Sequence, residues 1–339
     1  MTPSIYFYLP PSIYPETIPQ DLNLVSGKEW MALCSKEITG YAWTLQTFLR
    51  LKANGIPCEL TNMLPRKGII LAFRGNIPFN LIPQKEQLLI CLMGDASPHP
   101  YAQLQVCQNP RQVELIDDSY YIPHWPMPGL IHRDSANGDR FEKIAYYGCP
   151  NNLSSELKES SWQEQLQALG LQWHIIEHQN HHDYSDVDAV IAVRSFDGRE
   201  HIRKPALKLF NAWHAGVPIL LPPESAYRAE RKSNLDYIEV SSKEEILDAL
   251  KHLQVNLEWR NAIVENGRIR ALETKPEKLV ERWHVFLNNV AIPMYHNWCT
   301  TSFAKRKLFL LNRFMNIRKN GIKVRLSSLV NNLQKLSKK

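Results

Sequence analysis

Long uncharged apolar runs are missing from this chain of 339 residues. No stretch approaches the roughly 20 apolar residues that a membrane-spanning helix needs. Residues 1–20 also lack the basic start and apolar centre of a secretory signal peptide. The six cysteines are scattered without a Cys-x-x-Cys pair, which argues against a zinc site or a disulfide framework. We therefore expect a globular cytoplasmic protein without a structural metal.

Acidic residues are absent from residues 291–339, which hold eleven Lys or Arg. The rest of the chain carries 29 basic against 34 acidic groups, so a +11 tail follows a body of −5. Such a tail indicates a partner. Basic residues opposite an apolar helix face suit an anionic membrane surface, which we expect to contact residues 303–339. Nucleic acid is not expected, because no RNA-binding motif is present, and a solvated tail is the alternative. The apolar residues at helical spacing are Leu326, Leu329, Val330, Leu333 and Leu336.

Two phosphate-binding motifs are also missing. Neither G-x-x-x-x-G-K-[ST] nor G-x-G-x-x-G follows a strand-like run, which argues against P-loop and dinucleotide-binding enzymes. What the chain does contain is an alternation of strand-like and helix-like stretches, which predicts parallel sheets covered by helices. The expected strands are residues 4–9, 58–60, 68–73, 87–92, 144–148, 172–176, 189–193 and 217–221. The expected helices are residues 29–54, 162–169, 206–215, 258–272 and 276–289.

A proline-rich stretch divides this alternation into two halves. We therefore predict two doubly wound, Rossmann-like α/β domains that face a cleft, with ligands at the carboxyl ends of the strands. The predicted parts are a first domain (1–120), a linker (121–135), a second domain (136–290) and a basic, partly amphipathic tail (291–339).

The most informative segment lies in the second half. A helix-like run ends in the sequence NAWHAGVP at residues 211–218, continues into an apolar run and reaches Glu224 after two prolines. In order and spacing it resembles GT-B glycosyltransferases with a family 1/4-like C-terminal domain, where such a helix leads into a buried strand and an acidic turn. The resemblance extends through residues 261–271 (NAIVENGRIRA) and covers residues 144–287. It implies sugar transfer from a nucleotide sugar to a glycan, lipid-linked or small-molecule acceptor, without a cofactor or metal.

Positive charge in this segment suits the diphosphate of such a donor, whose charge grows as the glycosidic bond breaks. Lys204 and Lys208 are four residues apart on one helix face, and Arg194 follows a buried strand. A turn at residues 148–152 offers backbone amides. Alternatively the lysines form a solvated face, and Glu224 with Ser225 caps a helix. The predicted donor-binding residues are Gly148, Asn151, Asn152, Arg194, Lys204, Lys208, Asn211 (for a ribose hydroxyl), Glu224 (for sugar hydroxyls) and Ser225.

Catalytic candidates come from the first domain. Asp95 and His99 lie in a turn after the apolar run at 87–92 and are residue types that can accept the acceptor's proton. A turn-forming Asp and a surface His are the alternatives, and His124 in the linker is a weaker candidate. Retaining GT-B families place two glutamates eight positions apart, where this chain has Arg203 and Asn211, so the stereochemistry stays open.

Two rival functions remain. A sugar-nucleotide epimerase would consume donor without an acceptor, and a carbohydrate- or nucleotide-binding module would bind it without turnover. A run of potential ligands lacks fixed helical spacing, so we do not expect it to bind metal. Its members are His178, His181, His182 and Asp183.

Overall fold

The computed structural model describes residues 2–35 and 37–336, with side chains through residue 319. Within this part of the chain, the strands form two parallel sheets. The first sheet contains β1 (Ile5–Tyr8), β2 (Glu59–Thr61), β3 (Gly68–Phe73), β4 (Gln87–Leu92), β5 (Leu104–Cys107) and β6 (Ser119–Tyr121). The second contains β7 (Lys143–Tyr147), β8 (Gln172–Ile176), β9 (Ala189–Ile191), β10 (Ile219–Leu221) and β11 (Ile238–Glu239).

Helices connect these strands and also follow them. Two short π-helical segments, Tyr41–Leu45 and Leu287–Ala291, interrupt the α-helical runs. The α-helices are α1 (Gly27–Cys34), α2 (Ile38–Gly40), α3 (Gln46–Ala53), α4 (Pro110–Val113), α5 (Ser160–Ala168), α6 (Leu207–Ala215), α7 (Ser225–Glu230), α8 (Lys243–Val255), α9 (Leu257–Ala271), α10 (Pro276–Phe286), α11 (Ile292–Thr300) and α12 (Phe303–Leu336).

The first sheet has the order β2-β1-β3-β4-β5-β6. Its inner strands β3, β4 and β5 are buried on both faces, as continuous apolar runs predict for a parallel sheet. Alternate side chains of β3 enter different cores: Ile69 and Leu71 lie in one cluster, whereas Ile70 and Ala72 lie in another. This alternation sets the register against β4, in which Gly68 pairs with Gln87.

The second sheet has the order β11-β10-β9-β7-β8. The strand order reverses between β7 and β9, which makes their carboxyl ends the topological switch point where ligands of doubly wound sheets bind. The prediction of two Rossmann-like parallel sheets is therefore confirmed.

The predicted bounds of individual strands and helices agree only in part with the structure. β3, β4 and β8 occupy the predicted residues, whereas the short strands β5, β6 and β11 were missed. The prediction of a single helix at 29–54 is wrong, because one helix ends and a new helix begins within this range. The Ser35 hydroxyl donates to the Ala32 carbonyl at 2.7 Å and the Glu37 carboxylate accepts from the Gly40 amide at 3.0 Å, so that one helix ends and the next begins.

The predicted boundary of the second domain at residue 290 is also wrong. From Pro276 the chain returns to the first sheet, where Leu279 and Trp283 join the core of the first domain. The Phe286 ring lies 5.2 Å from that of Tyr120 on β6. The apolar face of α10 packs against this core, so the first domain contains the beginning of the chain together with residues 276–298.

Part of the predicted basic tail packs on this first domain. Trp298 on α11 donates its indole N–H to the Gln84 carbonyl at 2.8 Å. On α12, the buried Arg313 binds the Asp118 carboxylate at 2.8 Å, and the Phe314 ring stacks on Tyr101 at 5.7 Å. No described helix is both long and apolar enough to cross a membrane. The residues of the predicted amphipathic pattern lie outside the described side chains: Leu326, Leu329, Val330, Leu333 and Leu336.

The packing of α10 makes a testable prediction. Trp283 is 3% exposed in the first core, whereas Val285 on the same helix is 56% exposed. Trp283→Ala should lower the free energy of unfolding by about 3–5 kcal/mol through loss of burial and a residual cavity. Val285→Ala should change it by about 0.5 kcal/mol or less. Urea unfolding of both variants compares these values, and equal effects would contradict the return of α10 to this core.

Candidate functional site

Three strands of the second sheet end at the same edge, and each is followed by one of the predicted donor-binding residues. Gly148 follows β7, Arg194 lies three residues beyond β9, and Glu224 lies three residues beyond β10. Since β7 and β9 flank the switch point, these residues lie where a doubly wound fold binds its ligand.

Arg194 and Glu224 form a buried ion pair at this edge. The Glu224 side chain is 2% exposed; one carboxylate oxygen accepts from Arg194, and the other has no hydrogen-bond partner among the described residues. Although burial opposes it, Tyr227 and Glu224 raise the pKa of Arg194 above its ordinary value. Glu224 makes no side-chain cap bond to α7, so the alternative of a simple cap is wrong for this residue.

Lys208 projects from α6 toward the same place. Its ammonium lies 5.5 Å from the centre of the Tyr146 ring. A Cβ atom added to Gly148 would lie 2.7 Å from the Tyr146 hydroxyl and 3.3 Å from Lys208 Cε, so the glycine turn and the lysine are in close contact. Burial, and then the Arg194 charge, lower the pKa of Lys208 to about 7. Lys208 therefore does not lie on a freely solvated face.

The first domain reaches this cluster across the cleft. Asp95, after β4, forms an ion pair with Lys204. The Asn109 amide donates to the Lys204 carbonyl at 3.2 Å and to the Ser225 hydroxyl at 2.9 Å. These contacts confirm that the two domains face each other at the carboxyl ends of their strands. They also place Asp95 beside one of the predicted phosphate-binding lysines.

His99 occupies a different setting from Asp95. Its Nε2 lies 3.0 Å from the Pro78 carbonyl, and its Nδ1 accepts from the Tyr101 and Ala102 amides at 3.2 and 3.1 Å. The ring is buried, which lowers its pKa to about 4. Both nitrogens are thus engaged by the backbone. The geometry supports neither a surface histidine nor proton transfer by His99.

His124 is likewise packed inside the protein. Its Nδ1 lies 2.6 Å from the Trp125 carbonyl, and its ring lies 4.1 Å from that of Trp43. Burial lowers the pKa of His124 to about 4. We therefore assign the linker histidine to packing.

Four predicted donor residues lie outside the buried cluster of charges. Asn211 is 5% exposed and accepts a hydrogen bond from the Met127 amide at 3.1 Å, so it holds the linker and its predicted ribose contact is not supported. The Ser225 hydroxyl donates to the Glu200 carbonyl at 2.8 Å and takes part in the contact between domains. Asn151 and Asn152 are exposed on the turn after β7.

One residue at the site was missed from the sequence. His201 has φ = 45°, a left-handed conformation that is rare for a residue other than glycine. Its Nε2 is buried without a hydrogen-bond partner among the described residues. Burial lowers the pKa of His201, and Glu224 opposes the shift. Its position between two predicted cations, Arg194 and Lys204, was the available signal.

The described residues contain no group of three His, Cys, Asp or Glu that could hold a metal ion. A cavity of about 590 Å³ does exist, but it lies at the opposite end of the second sheet, between Arg133, Arg140 and Arg268. It does not coincide with the cluster of Arg194, Lys208 and Glu224. Contacts across the cleft cover this cluster from the side of the first domain. The site is therefore defined by its charges and its place in the fold, and not by a cavity.

The fold and site together define a two-domain α/β protein with a cation-lined cleft. No protein-family model matches the chain, and no curated protein matches its sequence. Solved structures that it resembles are GT-B glycosyltransferases. They include HepE from Anabaena in complex with UDP-glucose, with 9% identity over 85% of this chain and 100% of HepE and a TM-score of 0.49.

Two further matches extend this picture. AviGT4, a glycosyltransferase involved in avilamycin A biosynthesis, shows 13% identity over 85% of this chain and 99% of its own, with a TM-score of 0.44. TarM shows 10% identity over 71% of this chain, with a TM-score of 0.47, and the chain spans only 58% of TarM. Since these TM-scores lie below 0.5, we base the proposed function on the chain's own residues.

The lowered pKa of Lys208, about 7 against 10.5 ordinarily, predicts how stability depends on pH. The folded protein disfavours protonated Lys208, so the cost is full below pH 7 and declines as the pH rises toward 10.5. Lys208→Met removes this cost. It should raise the free energy of unfolding by on the order of 1 kcal/mol or more at pH 6, and by less at pH 9.

Urea unfolding at both pH values measures this effect. Lys251→Met is the control, because the Lys251 side chain is 54% exposed, and it should change stability by about 0.5 kcal/mol or less. Equal stability of Lys208→Met and the parent protein at pH 6 would contradict the lowered pKa of Lys208.

Proposed function

We propose that the protein transfers a sugar from a nucleotide-sugar donor to an acceptor hydroxyl. The observation that carries this proposal is the meeting of Arg194, Lys208 and Glu224 at the switch point of the second sheet. Partly buried cations at this edge suit a diphosphate, and a buried carboxylate beside them suits a sugar.

In the proposed reaction, the acceptor oxygen attacks the anomeric carbon of the donor while the bond from that carbon to the diphosphate oxygen breaks. The acceptor's proton passes to a base, and the nucleoside diphosphate leaves. Arg194 and Lys208 stabilise the negative charge that grows on the leaving oxygen. A bound diphosphate also favours protonated Lys208, whose pKa in the free protein is lowered to about 7.

Glu224 is proposed to orient the sugar. Its free carboxylate oxygen is buried and lacks a hydrogen-bond partner among the described residues. A sugar hydroxyl that donates to this oxygen removes the cost of an unsatisfied buried acceptor. Arg194 holds the other oxygen, so the carboxylate is fixed in position before the donor arrives.

Asp95 is proposed as the base that takes the acceptor's proton. In the free protein its carboxylate is paired with Lys204. A diphosphate offers Lys204 a stronger partner, and the exchange releases Asp95 toward the acceptor side of the cleft. With Arg194, Lys204 and Lys208 supplying the positive charge, we propose that the transfer proceeds without a metal. The acceptor is proposed to be a glycan, a lipid-linked molecule or a small molecule.

A thermal-shift panel of nucleoside diphosphates and nucleotide sugars tests the donor site. Ligand that binds only the folded state at 100 times its Kd adds about 2.7 kcal/mol of stability. We expect one base to raise the melting temperature, with and without EDTA. The shift should be lost in Lys208→Ala and kept in the exposed control Lys251→Ala. No shift with any nucleotide would contradict the proposal.

The same nucleotide sugar then separates transfer from its two rivals. Incubated with candidate acceptors, the protein should release nucleoside diphosphate only when an acceptor is present. Conversion of the donor to an isomer without an acceptor would indicate an epimerase. Binding without any turnover, across glycan, lipid-linked and small-molecule acceptors, would indicate a binding module.

The role of Asp95 is tested by Asp95→Asn. We expect kcat to fall by about 100-fold or more because the general base is lost, whereas the nucleotide-induced shift in melting temperature stays. Lys204→Met is the matched variant, since it breaks the same ion pair but should weaken donor binding. If Asp95→Asn keeps its kcat, or if both variants behave alike, Asp95 is not the base.

A further inference from the structure

The first turns of α12 carry an apolar stripe that faces solvent. Leu308, Leu311 and Met315 are 57%, 58% and 46% exposed. At 3.6 residues per turn they lie within about 60° of arc on the helix. Three large apolar side chains on one exposed arc differ from the scattered apolar residues of an ordinary surface.

The opposite side of α12 is already occupied. Leu310 and Arg313 are buried against the first domain, and Arg313 binds the Asp118 carboxylate and the Asp117 carbonyl at 2.8 and 2.7 Å. Phe314 stacks on Tyr101. These contacts fix the rotation of the helix, so the stripe of Leu308, Leu311 and Met315 points away from the protein.

Basic residues border the exposed stripe on both sides. By helical geometry, Lys307 and Arg318 lie along one edge and Lys305 and Lys319 along the other. Their charges face no acidic residue on their own segment, because residues 291–339 contain no Asp or Glu. An apolar stripe between two rows of cations is the pattern of a helix that lies in the headgroup region of an anionic membrane.

We propose that this face of α12 binds the surface of a bilayer containing anionic lipids. Leu308, Leu311 and Met315 enter the headgroup boundary, and the four flanking cations contact lipid phosphates. The stripe lies on residues whose side chains the structure describes, unlike the pattern at 326–336 expected from the sequence. The proposal is independent of the enzymatic function, because it concerns adsorption of the whole protein.

Vesicle co-sedimentation of the full-length protein tests this proposal. The vesicles contain phosphatidylcholine alone or mixed with phosphatidylglycerol. We expect the protein to bind the mixed vesicles about tenfold or more tightly than the neutral ones, and to be released by high salt. In the double variant Leu308→Gln and Leu311→Gln, partitioning to mixed vesicles should fall by about tenfold or more. Each of Lys305→Ala and Lys319→Ala should lower it by about fivefold.

Ile269→Gln is the matched control, since Ile269 on α9 is 56% exposed and lies in the second domain. Ile269→Gln should bind vesicles like the parent protein, and all variants should have the melting temperature of the parent protein. Equal binding of the leucine double variant and the parent would overturn the proposal, as would equal binding to neutral and anionic vesicles. A dimer that the leucine substitutions dissociate would also overturn it, because a second copy would then cover the stripe.

Discussion

Burial of positive charge at the carboxyl edge of the second sheet is the constraint on which the site depends. The Arg194 charge can be buried because the Glu224 carboxylate is buried beside it. Removal of one partner from such a pair lowers the free energy of unfolding by about 3–5 kcal/mol. Lys208 has no carboxylate of its own within this buried group, and the charge of Arg194 adds to the effect of burial on its pKa. The free protein therefore holds an incompletely neutralised cluster, which suits the proposed binding of a diphosphate.

The second domain builds this cluster, and the first domain encloses it. Lys204 spans the cleft to Asp95, and Asn109 binds both the Lys204 carbonyl and Ser225. The return of α10 and α11 to the first domain gives the two halves a second covalent connection besides the linker. Because two segments of the chain connect the domains, any relative motion must bend both segments. This favours a hinge motion over free reorientation of the domains.

Much of this architecture could be predicted from local pattern. Runs such as 68–73 and 87–92 are continuous, apolar and bounded by turn residues, so their strands were predicted residue for residue. Arg194, Lys208 and Glu224 were predicted because strand ends and the helix that follows determine which side chains meet at one edge. The same reasoning failed for α10, since an amphipathic helix does not specify which of two apolar cores it covers.

Contacts between distant residues account for the rest. Asn211 was expected to face a ribose, but the linker amide of Met127 binds it across 84 positions of sequence. His99 has a suitable residue type in a suitable turn, yet the Pro78 carbonyl and two local amides occupy its ring. His201 was missed because its left-handed backbone and its closeness to Glu224 arise only when β9 and β10 lie side by side.

Lys208 is the residue that we propose to contact the diphosphate of a nucleotide sugar, and this contact can be measured. Titration of the lysine ammonium groups by NMR tests it most directly, with Lys208→Arg to identify the resonance of Lys208. We expect Lys208 to have a pKa of about 7 in the free protein, and we expect this pKa to rise by about one unit or more with saturating nucleotide sugar. A Lys208 that titrates at its ordinary value in the free protein, or whose pKa does not move when the ligand is bound, would contradict the account.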